Sequence, residues 1–370
     1  MAKGKRDGLL IAGGGLAGSL AAIAMAKARP EVPILLVEEG ESFGGDRIWP
    51  FYDDELDAED GWVLDAIVPQ HWQGYYVAFP GHSRKFKGGI NIVRSAALDA
   101  AVRETLRPDQ YRLGTKVVAV RENELVLLGG EKIKADAAID ARGAANLSML
   151  ETGWRKHFGR EYRFAEPHGV DRPVLMDATV EQADGYRFVR CLPFSDTSML
   201  VEEVYLSDSP EMDAAAMAAR LDAYIAKRRW TGGAVEREES GAAPLPVGGD
   251  FGGFWRVGGA RVAKIGLRGG FFHPTTGHTL GDAARTAALL TRQKEMSGEA
   301  LHDLIEEEAT GQWRKRDLYR GFNSTLLGAK GEERRRIFES FYELDPALIS
   351  RFNAGRTGML DKMKLGKLPR

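Results

Sequence analysis

Apolar and polar positions follow two different rhythms along this chain. Leu9 to Ala12 is a short, wholly apolar run, followed by Gly13-Gly14-Gly15 and then an apolar helical segment from about Ala17 to Arg29. Pro30 and Pro33 interrupt it, and Ile34 to Val37 forms a second apolar run ending at Glu38. Continuous runs of this length read as strands covered on both faces, so the pattern predicts a βαβ start on a parallel sheet. A strand is expected from Tyr75 to Phe79, turning at Pro80-Gly81, then a helix from Ala96 to Leu106 and a hairpin from Lys116–Arg121 and Glu124–Leu128. Ala137 to Asp140 is another buried strand. After Pro167 the rhythm changes. Pro173–Glu181, Tyr186–Leu192 and Ser198–Leu206 are strand-like runs joined by short turns, which predicts an antiparallel sheet. Helices follow at Asp213–Lys227 and at about Gly281–Glu295, and the tail from His302 is mostly helical. No internal repeat or low-complexity linker is visible.

Composition narrows this only a little. A chain of 370 residues is long for one simple core, so one large or two interleaved domains are expected. The hydrophobic fraction of 44% and charged fraction of 28% are those of a soluble globular protein. A net charge of −2 speaks against a nucleic-acid partner. Cys191 is the single cysteine, which rules out an internal disulfide and a paired-cysteine metal site and fits a reducing compartment. The uncharged run from Gly8 to Ala26 has the length of a membrane span, but its glycines are explained by a strand, turn and helix without a bilayer. Charge is uneven: from Trp313 to Arg370 there are 14 basic and 7 acidic residues, interleaved with aromatics. Such a tail either packs on the domain as amphipathic helices or touches anionic lipid headgroups.

Gly13, Gly15 and Gly18 match G-x-G-x-x-G between a strand and a helix. The first glycine permits the tight turn, the second lets a pyrophosphate approach the backbone, and the third allows close helix–strand packing. The helix N-terminus, entered through Leu16 and Ala17, favours phosphate charge. Glu38 lies 20 residues beyond Gly18 at the end of the next strand, where a carboxylate can bind ribose hydroxyls. Asp140-Ala141-Arg142-Gly143 ends another buried strand, and a glycine-rich stretch from Gly266 to Gly281 leads into a helix. Each could be an ordinary turn. One cofactor gathering elements from distant parts of the chain favours FAD over NAD.

The chain resembles the bacterial lycopene β-cyclases over nearly its full length. The resemblance rests on Ala12 to Ala17, Ile139 to Gly143, Met176-Asp177-Ala178-Thr179-Val180, Gly185 to Val189 with Leu192-Pro193, Leu200-Val201-Glu202-Glu203, Glu239-Ser240-Gly241 and Gly270-Phe271-Phe272-His273-Pro274-Thr275-Thr276-Gly277. It implies an α/β fold with a Rossmann-like FAD-binding domain of the geranylgeranyl reductase and aromatic hydroxylase type, an antiparallel-sheet substrate domain and a helical C-terminal region. Residues 7–70, 95–165 and 255–295 are assigned to the FAD-binding domain, 71–94 and 166–254 to the substrate domain, and 296–370 to the helical region. It further implies a lycopene β-cyclase activity with reduced FAD and no net redox, acting on lycopene and related acyclic carotenoids. NAD(P)H is then the external reductant, and the protein is expected in the cytoplasm, on the inner face of the cell membrane. The FAD contacts expected are Gly13, Gly15, Leu16, Ala17, Gly18, Glu38, Asp140, Gly143, Pro274, Thr275 and Gly277. The chain departs from many relatives at Arg47-Ile48, in the loop from Gly44 to Trp49, where they carry His-Thr.

A substrate without heteroatoms must be activated by protonating a carbon–carbon double bond, which needs a carboxylic acid kept neutral by burial. Glu202 and Glu203 are adjacent on a strand and therefore face opposite ways. Glu202 shares its face with Leu200, Val204 and Leu206, and Glu203 with Met199, Val201 and Tyr205. The more aliphatic face is expected to raise the carboxyl pKa, which selects Glu202 as the acid, although without the resemblance both could be ordinary strand residues. His273 is a candidate final base or a structural hydrogen-bonder. Asp177 and Glu239 are weaker candidates, and His168 and Cys191 are expected to pack. Trp49, Trp72, Tyr75, Tyr186 and Phe188 either line a polyene tunnel or belong to the core.

Overall fold

The computed structural model describes residues 8–143 and 146–366. The basic residues 1–7 and the last residues of the basic tail, 367–370, lie outside the described residues. The first apolar runs form the expected parallel sheet, in the order Ala263–Lys264, Ala137–Asp140, Leu9–Ala12, Ile34–Val37 and Tyr111–Arg112. Each neighbouring pair is parallel. Helix Leu16–Ala28 is buried from Leu16 to Met25 almost without a polar face, because helix Leu280–Arg292 packs against it. A hairpin, Val117–Arg121 with Glu124–Leu127, carries Lys132–Lys134 beside it.

A seven-stranded sheet makes the second layer, in the order Ala234–Gly249, Leu150–Arg163, Ser198–Ser207, Tyr186–Pro193, Val174–Asp177, Tyr75–Ala78 and Ser83–Phe86. All its pairs are antiparallel except Val174–Asp177 with Tyr75–Ala78. Its two longest strands, of 14 and 16 residues, are absent from the hydrophobic pattern. Ala234–Gly249 is an edge strand, exposed mainly along its first half and buried at Pro244–Pro246, and on an edge a missing N–H is harmless. Leu150–Arg163 is dense in charge because its side chains meet partners from neighbouring strands. It therefore belongs to this sheet, whereas sequence segmentation places residues 150–163 with the nucleotide-binding part.

The two faces of this sheet have different cores. Leu200, Val204 and Leu206 join Tyr186, Phe188 and the tail aromatics Phe338, Phe341 and Phe352. Met199, Val201 and Tyr205 join Phe158, Cys191 and helix Ala214–Arg228 on the other face. The tail forms helices Gly298–Lys315, Asp317–Gly328, Glu332–Glu343, Pro346–Asn353 and Met359–Leu365. Its aromatics are mostly buried, and many of its arginines are paired: Arg316 with Asp282, Arg334 with Asp208, Arg351 with Asp361 and Arg356 with Asp57. Among the described residues, no helix is long and apolar enough to cross a membrane.

Candidate active site

The glycine turn has the geometry a dinucleotide needs. Gly13 sits at φ +101° and donates its N–H to the Val37 carbonyl at 2.8 Å. A Cβ on Gly18 would lie 1.9 Å from the Gly13 carbonyl oxygen, so helix and strand approach as closely as glycine allows. A Cβ on Gly15 would meet nothing within 4 Å, which leaves the helix N-terminus open. Glu38 accepts from the N–H of Gly14 at 2.6 Å and of Gly40 at 2.8 Å, which fixes its carboxylate at the strand end. A cavity of about 300 Å³ opens at the helix N-terminus, lined by Gly15, Leu16, Ala17, Ala141, Gly143 and His157 among others. Arg47 and Trp49 also line it, and Asp46 of the same loop pairs with Arg237 at 3.3 Å.

Asp140 does not itself line this cavity. Its carboxylate is turned away from the cavity wall to Arg142, at 2.8–2.9 Å, with Arg268 at 3.6 Å. Burial alone would raise its pKa, but the Arg142 hydrogen bonds and the two guanidinium charges hold it below the usual carboxylate range. The strand end thus contributes Ala141 and Gly143 to the cavity while Asp140 anchors the loop.

The loop from His273 to Thr279 separates this cavity from a smaller one of about 70 Å³, lined mostly by apolar side chains but also by Arg155 and Arg190. Thr275, Thr276 and His278 face the second cavity together with Tyr52, Phe188 and Phe352. Pro274 acts through its carbonyl, which accepts from Asn323 Nδ2 at 2.9 Å, and Gly277 turns the chain at φ +73°. His273 is structural. Its Nε2–H donates to the Phe352 carbonyl at 2.9 Å, and its Nδ1 accepts from the N–H groups of Thr275 and Thr276 at 3.2 and 3.1 Å. Burial pushes its pKa down to about 3, so it is neutral at physiological pH.

Between the two cavities the seven-stranded sheet carries a cluster of charged groups on one face. Register places Arg190 opposite Glu202, Glu202 opposite Gly159, and Gly159 opposite Glu239, a single row across four strands. Gly159 is what lets the carboxyls converge: a Cβ there would lie 3.3 Å from Glu202 Cβ and Cγ. His157 points the same way two residues earlier, and Gly241 opposite it leaves room, since a Cβ would lie 2.8 Å from the imidazole Cε1. One oxygen of Glu202, one of Glu239 and one ring nitrogen of His157 lie within 4.8 Å of one another. Arg190 Nη2 lies 2.5 Å from Glu202 Oε2, in a geometry too oblique for a hydrogen bond. His157 Nδ1 has no hydrogen-bond partner among the described residues.

These neighbours overturn one expectation. Glu202 was expected to have a raised pKa on its aliphatic face. Burial does raise it, but the charges of Arg190 and Arg155 outweigh burial and hold it below the usual carboxylate range. The alternation along its own strand is right; the cations come from the adjacent strands, which a single strand cannot reveal. Glu239 moves the opposite way: burial and the Glu202 charge raise its pKa against the pull of Arg237. Burial pushes His157 down to about 4.

Glu203 faces the other core. It is fully buried and paired with Arg187 and, at 2.9 Å, with Arg220. Asp177 lies on that face too, bound by Tyr224 at 2.8 Å and Arg228 at 2.5 Å. His168 bonds the Ser195 carbonyl at 2.8 Å and Cys191 is buried, so both pack as expected. Of the aromatics, Phe188 lines the smaller cavity and Trp49 the larger one, while Tyr75 and Tyr186 stack in the core on Phe86 and Phe338 and Trp72 is partly buried against it. His157, Gly159, Arg155 and Arg190 have no counterpart among the residues singled out from sequence. The one available signal was a glycine inside a charged run with aromatic Phe158 and Tyr162, which marks a close approach only once the run is known to be a strand.

Residues 8–368 match the family model described as lycopene cyclase protein. The chain is 34% identical over 364 residues to a lycopene beta-cyclase of Pseudescherichia vulneris, covering 98% of this chain and 94% of that protein. A lycopene beta-cyclase of a Paracoccus strain is 35% identical over 368 residues, with the same shares covered. Among solved structures, a geranylgeranyl bacteriochlorophyll reductase-like protein from Thermoplasma acidophilum superposes with a TM-score of 0.64 at 13% identity, covering 98% of this chain and 96% of that one. The two-layer fold is thus that of the reductase-like protein, and the chain belongs to the lycopene cyclase protein family.

Proposed function

We propose that the protein is a lycopene β-cyclase, an intramolecular lyase that converts the ψ ends of lycopene to β-ionone rings, through γ-carotene to β-carotene, with no net redox change. The observation that carries the reading is the row of buried Glu202 and half-buried Glu239 set between the cavity at the glycine turn and the smaller one lined by tail aromatics. The cofactor is FAD. Gly13, Gly15 and Gly18 with the start of helix Leu16–Ala28 would hold its pyrophosphate, Glu38 a ribose, and Gly143 and the Thr275–Gly277 loop its remaining length. When bound and reduced it would supply negative charge to stabilise the developing cation, with NAD(P)H as the external reductant.

Glu202 is the acid that protonates a terminal double bond. The π electrons form the new C–H bond, ring closure moves the positive charge inward, and loss of a ring proton restores a double bond. Phe188 and the tail aromatics Phe338, Phe341 and Phe352 keep water from the cation, which it would quench. The apolar substrate resides in lipid, and the exposed Met359, Leu360 and Met363 beside Lys362 and Lys364 suit contact with an anionic surface, the inner face of the cell membrane. Expression in lycopene-accumulating cells tests the activity. Conversion of the pigment to β-carotene is expected. Unchanged lycopene, or NAD(P)H oxidised in proportion to product, would overturn it.

A further inference from the structure

Glu202 presents a difficulty for its own role. Three basic side chains face it: Arg190 from strand Tyr186–Pro193 and Arg155 and His157 from strand Leu150–Arg163. Two of them are permanent cations, and each favours the carboxylate over the acid. A group in that company does not by itself keep a proton to give away.

The register supplies a second carboxyl. Glu239 approaches Glu202 across Gly159, the one position in the row without a side chain to separate them. Its other neighbours are Arg237, at 2.7 Å, and through Arg237 the carboxylates of Glu161 and Asp46. Arg237 is thus divided among three acids, and its hold on Glu239 is correspondingly weak. Arg47 lies on the loop above, close enough for its charge to act on His157. Two carboxyls this close cannot both be ionised without mutual repulsion in a medium poor in water, so the pair holds one proton between them.

We propose that Glu239 is the proton-holding partner of Glu202, the two carboxyls sharing a single proton across Gly159. This deepens the cyclase reading and rests on it. The shared proton passes from Glu239 through Glu202 to the double bond, leaving both carboxyls ionised beside the cation until the ring proton is lost. The proton lost from the ring cation returns to the pair. One proton leaves and one comes back per ring, so no external acid or base is consumed. Glu239 acts through Glu202 and is a positioning residue. His157, neutral and with Nδ1 unpartnered at the edge of the larger cavity, gives the pair its contact with solvent protons between turnovers.

The test compares wild type, Glu239→Gln, Glu239→Asp and Glu202→Gln as FAD-loaded proteins turning over lycopene in detergent micelles between pH 5.5 and 9. In Glu239→Gln, KM and flavin content are expected to stay within twofold of wild type. Its kcat is expected to fall at least tenfold at pH 7.5, and the alkaline limb of the kcat profile to move down by more than one pH unit. Glu239→Asp should restore part of both. Infrared difference spectroscopy between pH 6 and 9 reads the shared proton directly, as a protonated-carboxyl band present in wild type and absent in Glu239→Gln. A Glu239→Gln enzyme with wild-type kcat and pH profile, or one that retains the carboxyl band, overturns the proposal. Activity surviving in Glu202→Gln would overturn the acid assignment beneath it, which separates the two failures.

Discussion

The two adjacent glutamates make the sharpest prediction, because replacing either by glutamine disturbs a buried ion pair but only one change should stop the chemistry. Glu203 is fully buried and meets Arg187, 6% exposed, and Arg220, 36% exposed. Breaking a buried pair costs about 3–5 kcal/mol, and the solvent available to Arg220 brings the expected loss for Glu203→Gln down to about 2–3 kcal/mol. Glu202→Gln likewise leaves Arg190 short of its carboxylate, though it also relieves repulsion with Glu239, so its cost should be no larger. Glu203→Gln should therefore melt roughly 3–4 °C below wild type, and Glu202→Gln by no more than that. Their activities should differ widely. A general acid contributes about 10²–10⁴-fold, so Glu202→Gln should lose at least that much in kcat, whereas Glu203→Gln should stay within about threefold when assayed well below its melting temperature. The assay is conversion of lycopene to β-carotene, followed by absorption and chromatography, with reduced FAD in excess and folded protein quantified by circular dichroism. If Glu203→Gln abolished turnover in folded protein while Glu202→Gln retained it, the assignment of faces would be wrong.

Gly18→Ala should be severe, since its Cβ would lie 1.9 Å from the Gly13 backbone oxygen, while Gly15→Ala meets no protein atom within 4 Å. Purified Gly15→Ala is expected to fold normally but carry less flavin, and Gly18→Ala to lose both stability and flavin; full flavin occupancy in Gly18→Ala would contradict the close approach. His157 and His273 are held down to about 4 and about 3. The unfolded chain therefore binds protons that the folded one refuses, and stability should rise with pH from about 4 to about 6.5. Urea midpoints at pH 5 and pH 7 measure this, and His157→Gln should flatten the difference; an unchanged slope would show that His157 titrates freely. Changing Met359, Leu360 and Met363 together to Ser should reduce sedimentation with anionic phosphatidylglycerol vesicles several-fold. Equal sedimentation of wild type and variant would remove that helix as the membrane contact.

Sequence alone determined the nucleotide half. Leu9–Ala12, the glycine turn, helix Leu16–Ala28 and Ile34–Val37 are contiguous, and each of their requirements is local: an apolar run, a positive φ, a missing Cβ. It also separated Glu202 from Glu203, because alternation along a strand is a property of the backbone. Tertiary structure decided the charge on Glu202. Arg190 and Arg155 reach it from strands of their own, and electrostatic environment depends on distance through space. The same holds for the aromatics: Phe188 lines the cavity, while Tyr186, two residues earlier on the same face, stacks on Phe338. The polar strands Leu150–Arg163 and Ala234–Gly249 were illegible for a related reason. Their charges read as surface until the register brings Glu239 over Gly159 to Glu202, and only across those strands do the two carboxyls come within reach of one proton.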